Sequence, residues 1–497
     1  MNLKLAFAAA TLLFAQYNLA NAVPLKAADD IKDNKKSQKT KIPERHRGHS
    51  PRYHYAPGGG VAAVRNIEPE QQAQIKLLTD DVFTYVAGTP VVTSPYLGQR
   101  TVFDASDLIV RISTINLDLR LLEQRQRLDN KLKEKNLPLP TVPLVSLSGK
   151  LEVGASYVSP YSKQNLADFD LASTELITMV QANPWVTGYV SIAFDHSTSD
   201  ITGRRLDNSR FYLNKGFLTI GNLNESPVYF TGGQGYVPFG RYNSFMLAAP
   251  VTQVIGRTKA RFGELGFEKN GFFGAGYVFP SDSGNGSHAT SGANLGYMFK
   301  GDTFKGEFSV GFISNIADAE GVQGTISGGF GGFGMVRATE DILNRVPAVA
   351  VQGSIGAGDY TLIGEFVGAT REFNPMDLQY NGDGAAPLGV NVELAKTFTL
   401  LELPASVALG YGYTTEALAL GLPRNRIVGT FNLVPWRDVI FSLEYRHDIN
   451  YGIDNTAGGR GVVGCSPLGT SCFVPLDTMG ALGHSMETVT AQIGYYF

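Results

Sequence analysis

The sequence predicts an all-β transmembrane barrel of about sixteen antiparallel strands with a short helical periplasmic region ahead of it, and three observations predict it. Residues 485–497 (SMETVTAQIGYYF) place Val489, Ala491, Ile493, Tyr495 and Phe497 on one face and Met486, Thr488, Thr490, Gln492, Gly494 and Tyr496 on the other, the two-residue period of a strand with an apolar outside. Upstream, from Leu144, strand-like segments are joined by connections that alternate short and long, as periplasmic turns and outer loops do. No stretch approaches the roughly 18 uninterrupted apolar residues of a spanning helix, and the mean hydropathy is only −0.05, as alternation requires. Heavy use of Gly (57), Phe (29) and Tyr (22) suits strands, sharp turns and aromatic girdles.

Taken in order, residues 1–22 read as a secretory signal peptide: Lys4, an apolar core over Leu5–Ala15, and Ala20-Asn21-Ala22 as cleavage site. Residues 23–60 form a basic tail, with nine Lys/Arg against four Asp/Glu, that cannot bury a core and is expected to be disordered. Its charge of +5, set against −4 for the chain once Lys4 is removed, leaves about −9 on the remainder. The tail suits inner-leaflet phosphates or peptidoglycan; its histidines, His46, His49 and His54, read as solvated side chains sooner than as metal ligands. Residues 61–143 read as a periplasmic helical, coiled-coil-like region. Ile75, Leu78 and Val82 share a helical face within 66–87, and 104–135 repeats Leu108, Ile112, Ile115, Leu119 and Leu122 at 4-3-4-3 spacing before Pro138, Pro140 and Pro143 end it. That seam supports a helix resting on its neighbours, a self-association surface, or a plug and gate.

The barrel is assigned to 144–497. Short turns fall at Asn183-Pro184, Asn224–Ser226, Lys269-Asn270, Gly301-Asp302, Gly358-Asp359, Glu402-Leu403 and near Pro435-Trp436, all on one side when counted back from Phe497. Within 437–449, Ser442, Glu444, Arg446 and Asp448 share a face opposite Val439, Phe441, Leu443 and Tyr445; charges at mid-bilayer cost about 2–4 kcal/mol, so that face lines the lumen. A barrel of this size encloses an aqueous channel. Arg257, Lys259 and Arg261, at i, i+2 and i+4 of a strand expected over 252–268, read as a basic ladder in the lumen, joined by Arg446, Arg424 and Arg426. They would attract a small anionic solute or pair with lumen acids such as Glu365, Glu393 and Glu444.

Little in the sequence points to catalysis, and the chain reads as no enzyme. Asp195-His196 and His447-Asp448 could mimic a dyad, but neighbouring residues of a strand point to opposite faces, and no G-x-S-x-G is present. The two cysteines, Cys465 and Cys472, fall in one outer loop and are expected to form a disulfide in an oxidising compartment; two thiols alone do not make a metal site. No cofactor and no nucleic-acid partner are implied.

The segments GTPVVTSPYLG (88–98), DASDLIVRISTINLDLRLLEQRQRL (104–128) and LVSLSGKLEVGASY (144–157), with the final GYYF, resemble the LbtU-type siderophore porin family over roughly residues 80–497. The resemblance implies a bacterial outer-membrane barrel that takes up a ferric siderophore of polycarboxylate type without the energy-coupling plug of larger transporters. The terminal aromatic resembles the signal read by the barrel assembly machinery. The other reading left open is a general diffusion porin or structural envelope barrel tethered by its basic tail.

Overall fold

In the computed structural model the described residues are Phe83–Val86, Thr89–Thr93 and 115–496, the last with breaks at 161–164, 196–209, 284–287, 324–341 and 459–481 and shorter ones elsewhere. Sixteen antiparallel strands run β1 Leu144–Ser159, β2 Leu166–Gln181, β3 Val186–Asp195, β4 Arg210–Ile220, β5 Val228–Tyr236, β6 Lys259–Lys269, β7 Phe272–Pro280, β8 Ala289–Lys300, β9 Phe304–Ile313, β10 Ala348–Ala357, β11 Tyr360–Ala369, β12 Leu388–Leu400, β13 Leu403–Thr415, β14 Asn425–Trp436, β15 Val439–Ile449 and β16 Ser485–Tyr496. Each pairs with the next, and β16 closes on β1 from Glu487↔Ser159 to Tyr496↔Lys150. Closure removes the open edges of the sheet. No described helix is long and apolar enough to cross a membrane.

Alternation sets the two faces. Outward side chains such as Leu218, Phe230, Leu265, Phe308, Leu409 and Ile493 are exposed, 44–70% of each, because their solvent is hydrocarbon. Their strand neighbours Phe217, Tyr229, Glu264, Glu307, Ala408 and Gln492 turn inward. The closing strand behaves as its sequence predicts: Val489 and Ile493 face out, and Tyr496 faces in, its hydroxyl donating to Glu152 Oε1 at 2.9 Å.

Two features depart from expectation. Residues 83–86, the end of the helix expected over 66–87, form a hairpin with Thr89–Thr93; the second strand pairs in parallel with Val145–Leu147 of β1, below the point where β16 ends. The strand expected over 252–268 starts only at Lys259. Val251–Gly256 is instead a short helix (α2) inside the third outer loop, residues 237–258. The rest of that loop carries Pro238 and Pro250, which fit no central strand.

Apolar packing continues into the outer loops. Tyr451, fully buried, shares a hydrogen bond with Thr414 Oγ1 at 2.7 Å and accepts one from Ala417 N at 3.2 Å. Burial pushes its phenol up to about 12.

Candidate functional site

The lumen is filled from two sides. The first filling is a helix, α1, Leu117–Glu134. Its N-terminus lies inside the barrel: Asp118 Oδ2 accepts from Thr231 Oγ1 on β5 at 2.6 Å, and Asn116, which turns the chain into the helix at φ 52°, accepts from Asn294 Nδ2 on β8 at 3.2 Å. Its later turns meet the periplasmic β4–β5 turn, where Gln126 donates to Leu223 O at 3.0 Å and Asn224 donates to Asp129 Oδ2 at 2.9 Å. Leu117 and Leu121 pack on Ile177, Tyr189 and Phe217 of β2–β4. Leu119 and Leu122 pack on Tyr229 and Phe273 of β5 and β7. The coiled-coil expectation is corrected accordingly: Leu119 and Leu122 of the seam face barrel wall, Ile115 precedes the helix, and Leu108 and Ile112 lie outside the described residues.

The second filling is the third outer loop, which bends into the lumen. Three inward glutamates on the opposite wall hold it. Glu365 (β11) accepts from Arg241 N at 2.7 Å, Tyr242 N at 3.2 Å and Thr252 Oγ1 at 2.6 Å. Glu393 (β12) accepts from Ser244 Oγ at 2.7 Å and Phe245 N at 2.9 Å. Glu444 (β15) accepts from Leu247 N and, at 3.0 Å, from Ala248 N. Carboxylates suit this task, since each oxygen accepts more than one bond and charged acceptors bind more strongly than neutral ones. Between them Phe245 and Met246 enter an apolar patch of Ile363, Ala395, Ala408 and Val428. Inward glycines make room: a Cβ on Gly410 would lie 2.9 Å from Met246 Cε, and one on Gly389 2.7 Å from Ile255 Cδ1.

Arg241 joins the two fillings. One guanidinium nitrogen donates to Ile115 O at 3.3 Å, ahead of α1, and another pairs with Glu307 of β9 at 2.9 Å. Both partners of that pair are buried (8% and 3% exposed). Arg241→Met should therefore destabilise the folded barrel by about 3–5 kcal/mol, chiefly by stranding a buried carboxylate. Urea unfolding in detergent measures this, and the Arg241→Met/Glu307→Gln double variant should recover much of the loss; a single variant as stable as the parent would contradict the joint.

Glu365, Glu393 and Glu444, expected to pair with the basic ladder, hold loop backbone instead. The ladder itself is not in the lumen. Lys259 pairs across strands with Tyr236 and Arg261 with Gln234, on the face shared by Leu265, Phe230 and Phe267. Lys259 and Arg261 thus stand on the outward face at the outer end of β6, and Arg257 just above them stacks on Tyr236 at 4.9 Å. The 2–4 kcal/mol penalty that argued against this face applies at mid-bilayer and falls toward zero at the interface. Of the other cations, Arg446 and Arg426 do point inward, flanking Asp448 at 3.2 and 2.7 Å. Arg424 lies between the rings of Tyr413 and Tyr451 at 5.8 and 5.7 Å. His447, turned away from Asp448, lies 3.8 Å from Glu487, so no dyad forms there. His196, the tail histidines, Cys465 and Cys472 lie outside the described residues, and so does Phe497. Among the described residues, no group of His, Cys, Asp and Glu is placed to hold a metal ion.

Along β15, β16 and β1 the wall keeps an open surface. Lys150, Thr490, Gln492 and Arg446 point inward and are only half-buried. Arg446 is 23% exposed and Lys150 25%, whereas their partners Asp448 and Glu152 are 1% and 11% exposed. Of the charged groups on this wall, the cations are therefore the more exposed, with the carboxylates behind them.

A closed sixteen-stranded barrel with an apolar outer face and a polar, filled interior defines a porin-type channel of the bacterial outer membrane. The chain belongs to the UPF0422 family. It is 47% identical over 430 residues to a UPF0422 protein of Legionella pneumophila strain Lens, covering 85% of this chain and 79% of that one. It is 36% identical over 411 residues to one from Coxiella burnetii, covering 81% and 83%. No family model matches the chain. Among solved structures it is similar to the outer-membrane channel DcaP of Acinetobacter baumannii (14% identity, 71% of this chain and 97% of that one, TM-score 0.46) and to an anion-selective porin from Comamonas acidovorans (10%, 71% and 99%, 0.44).

Proposed function

We propose that this channel admits small anionic solutes, with a ferric siderophore of polycarboxylate type as cargo, and that α1 gates it. The observation that supports gating is the seat of α1. A helix whose first turns sit in the lumen, held there by side-chain contacts and no strand pairing, with Leu117, Leu119, Leu121 and Leu122 on the wall, is a removable plug and not a permanent wall. The partly exposed Arg446 and Lys150, backed by covered carboxylates, support a preference for anions. Arg offers paired donors that match a carboxylate, and the resemblance of residues 88–128 supports the siderophore as the particular anion.

The test is uptake into proteoliposomes of a radiolabelled ferric polycarboxylate complex beside a neutral sugar of similar size. Saturable, preferential entry of the ferric complex is expected, with the preference reduced several-fold in Lys150→Gln/Arg446→Gln. Equal entry of both solutes would make the chain a general diffusion porin, and entry of neither, even with α1 displaced, a structural barrel.

A further inference from the structure

We infer that the outward basic cluster at the outer end of β4–β6 binds the phosphate groups of an outer-leaflet glycolipid of the lipid A type. The lipid-facing wall changes character there within a few residues. On β5 and β6, Val228, Phe230, Leu265 and Phe267 form an apolar belt; above Gly232 and Gly263 the same face carries Gln234, Tyr236, Lys259 and Arg261. Lys and Arg beyond the end of an apolar belt stand where the belt gives way to polar surface, and there they attract the phosphates of a membrane surface.

The cluster is built as a cradle. The β4–β5 ladder has five residue pairs and stops at Gly216↔Gln234, so the strands part above it, and Gln234 Nε2 bridges them to Leu213 O at 3.2 Å. Lys259 reaches into this notch: its ammonium lies 2.8 Å from Asn214 Oδ1, 5.3 Å from the Tyr212 ring and 5.9 Å from the Tyr236 ring. Arg261, exposed, donates one bond, to Gln234 Oε1 at 3.4 Å, which leaves most of a five-donor guanidinium facing outward. Arg257 is ion-paired with Glu320 at 2.7 Å, and Lys259 is linked through Asn214 to the inward Glu175, which accepts from Asn214 Nδ2 at 3.0 Å; among the described residues Arg261 has no such carboxylate. Beside the notch Phe211 and Leu213 are 68% and 51% exposed, an apolar surface for acyl chains next to donors for phosphate. That pairing of chemistries fits a phosphorylated lipid better than a free anion.

The test is native mass spectrometry and competition binding on the full barrel in detergent, with bisphosphorylated lipid A as probe. The parent should retain lipid A, and Lys259→Gln/Arg261→Gln should weaken binding about tenfold or more. Dephosphorylated lipid A should bind both forms equally weakly, and Arg261→Lys should keep binding largely intact. Heat-modifiable migration shows that each variant has folded. Equal retention by parent and folded double variant would overturn the assignment. Displacement by inorganic phosphate at concentrations comparable to lipid A would also overturn it, and would mark a site for free anions.

Discussion

Replacing Leu119 and Leu122 with aspartate should open the channel. Each leucine is almost fully buried against Tyr229 and Phe273, and burial of such a side chain is worth about 1.5–3 kcal/mol. Two substitutions therefore remove at least about 3 kcal/mol of docking free energy, before the cost of placing carboxylates in an apolar cluster. That shifts a docked-to-released ratio by more than about a hundredfold. The wall left behind, carrying Thr219, Thr231, Glu264 and Asn294 beside the aromatic rings, tolerates the water that lumens of this size hold, so the barrel should still assemble. In planar bilayers the single-channel conductance should rise several-fold over the parent. An unchanged conductance in a correctly folded variant would mean that α1 is not the barrier.

Replacing Glu365, Glu393 and Glu444 together with alanine should release the third outer loop. These carboxylates accept three, two and two bonds from the loop, and hydrogen bonds to charged groups contribute about 1.5–3 kcal/mol each. Without them the loop keeps the packing of Phe245 and Met246 on the β11–β14 patch, the bonds from Asn432 to Phe245 O and from Arg426 to Ala249 O, and the Arg241–Glu307 pair. Expected results are new protease sites within 237–258, a larger conductance and a lost preference for the ferric complex over neutral sugar. The triple glutamine variant should fall between, because an amide oxygen still accepts but carries no charge. A triple alanine variant that matches the parent in all three readouts would show that the three carboxylates do not hold the loop in place.

How much of this was legible in the sequence differs by element. The strands were, because a period of two bounded by turns is a local signal: Val439–Ile449 and Ser485–Tyr496 both place their side chains as the alternation states. The ladder was misread for a definite reason. Spacing at i, i+2 and i+4 shows that Arg257, Lys259 and Arg261 share a face, not which face it is. Continuing the same parity through Gly263, Leu265 and Phe267 would have pointed outward, with Ala260, Phe262 and Glu264 turned in. The third loop also left a signal, an apolar run (FMLAAPVTQVIG, 245–256) where an outer loop should be polar, unused because its partners lie more than a hundred residues away. Helix α1 was legible as a helix, with a plug one of three readings that the sequence left open. Its leucines point in more than one direction, and the groups that satisfy Asp118, Asn116 and Gln126 come from β5, β8 and the β4–β5 turn. Only tertiary structure supplies such partners.

The most direct test of the plugged lumen is a thiol cross-link in intact cells between position 118 of α1 and position 231 of β5, whose side chains touch at 2.6 Å. In a chain carrying Asp118→Cys and Thr231→Cys, with Cys465 and Cys472 replaced by serine, a short bifunctional thiol reagent should join the two positions in most molecules and hold the conductance at its low parental value. Absence of the cross-link, with the thiol at position 118 labelled freely by a bulky reagent confined to the periplasm, would place α1 outside the lumen and contradict the gate.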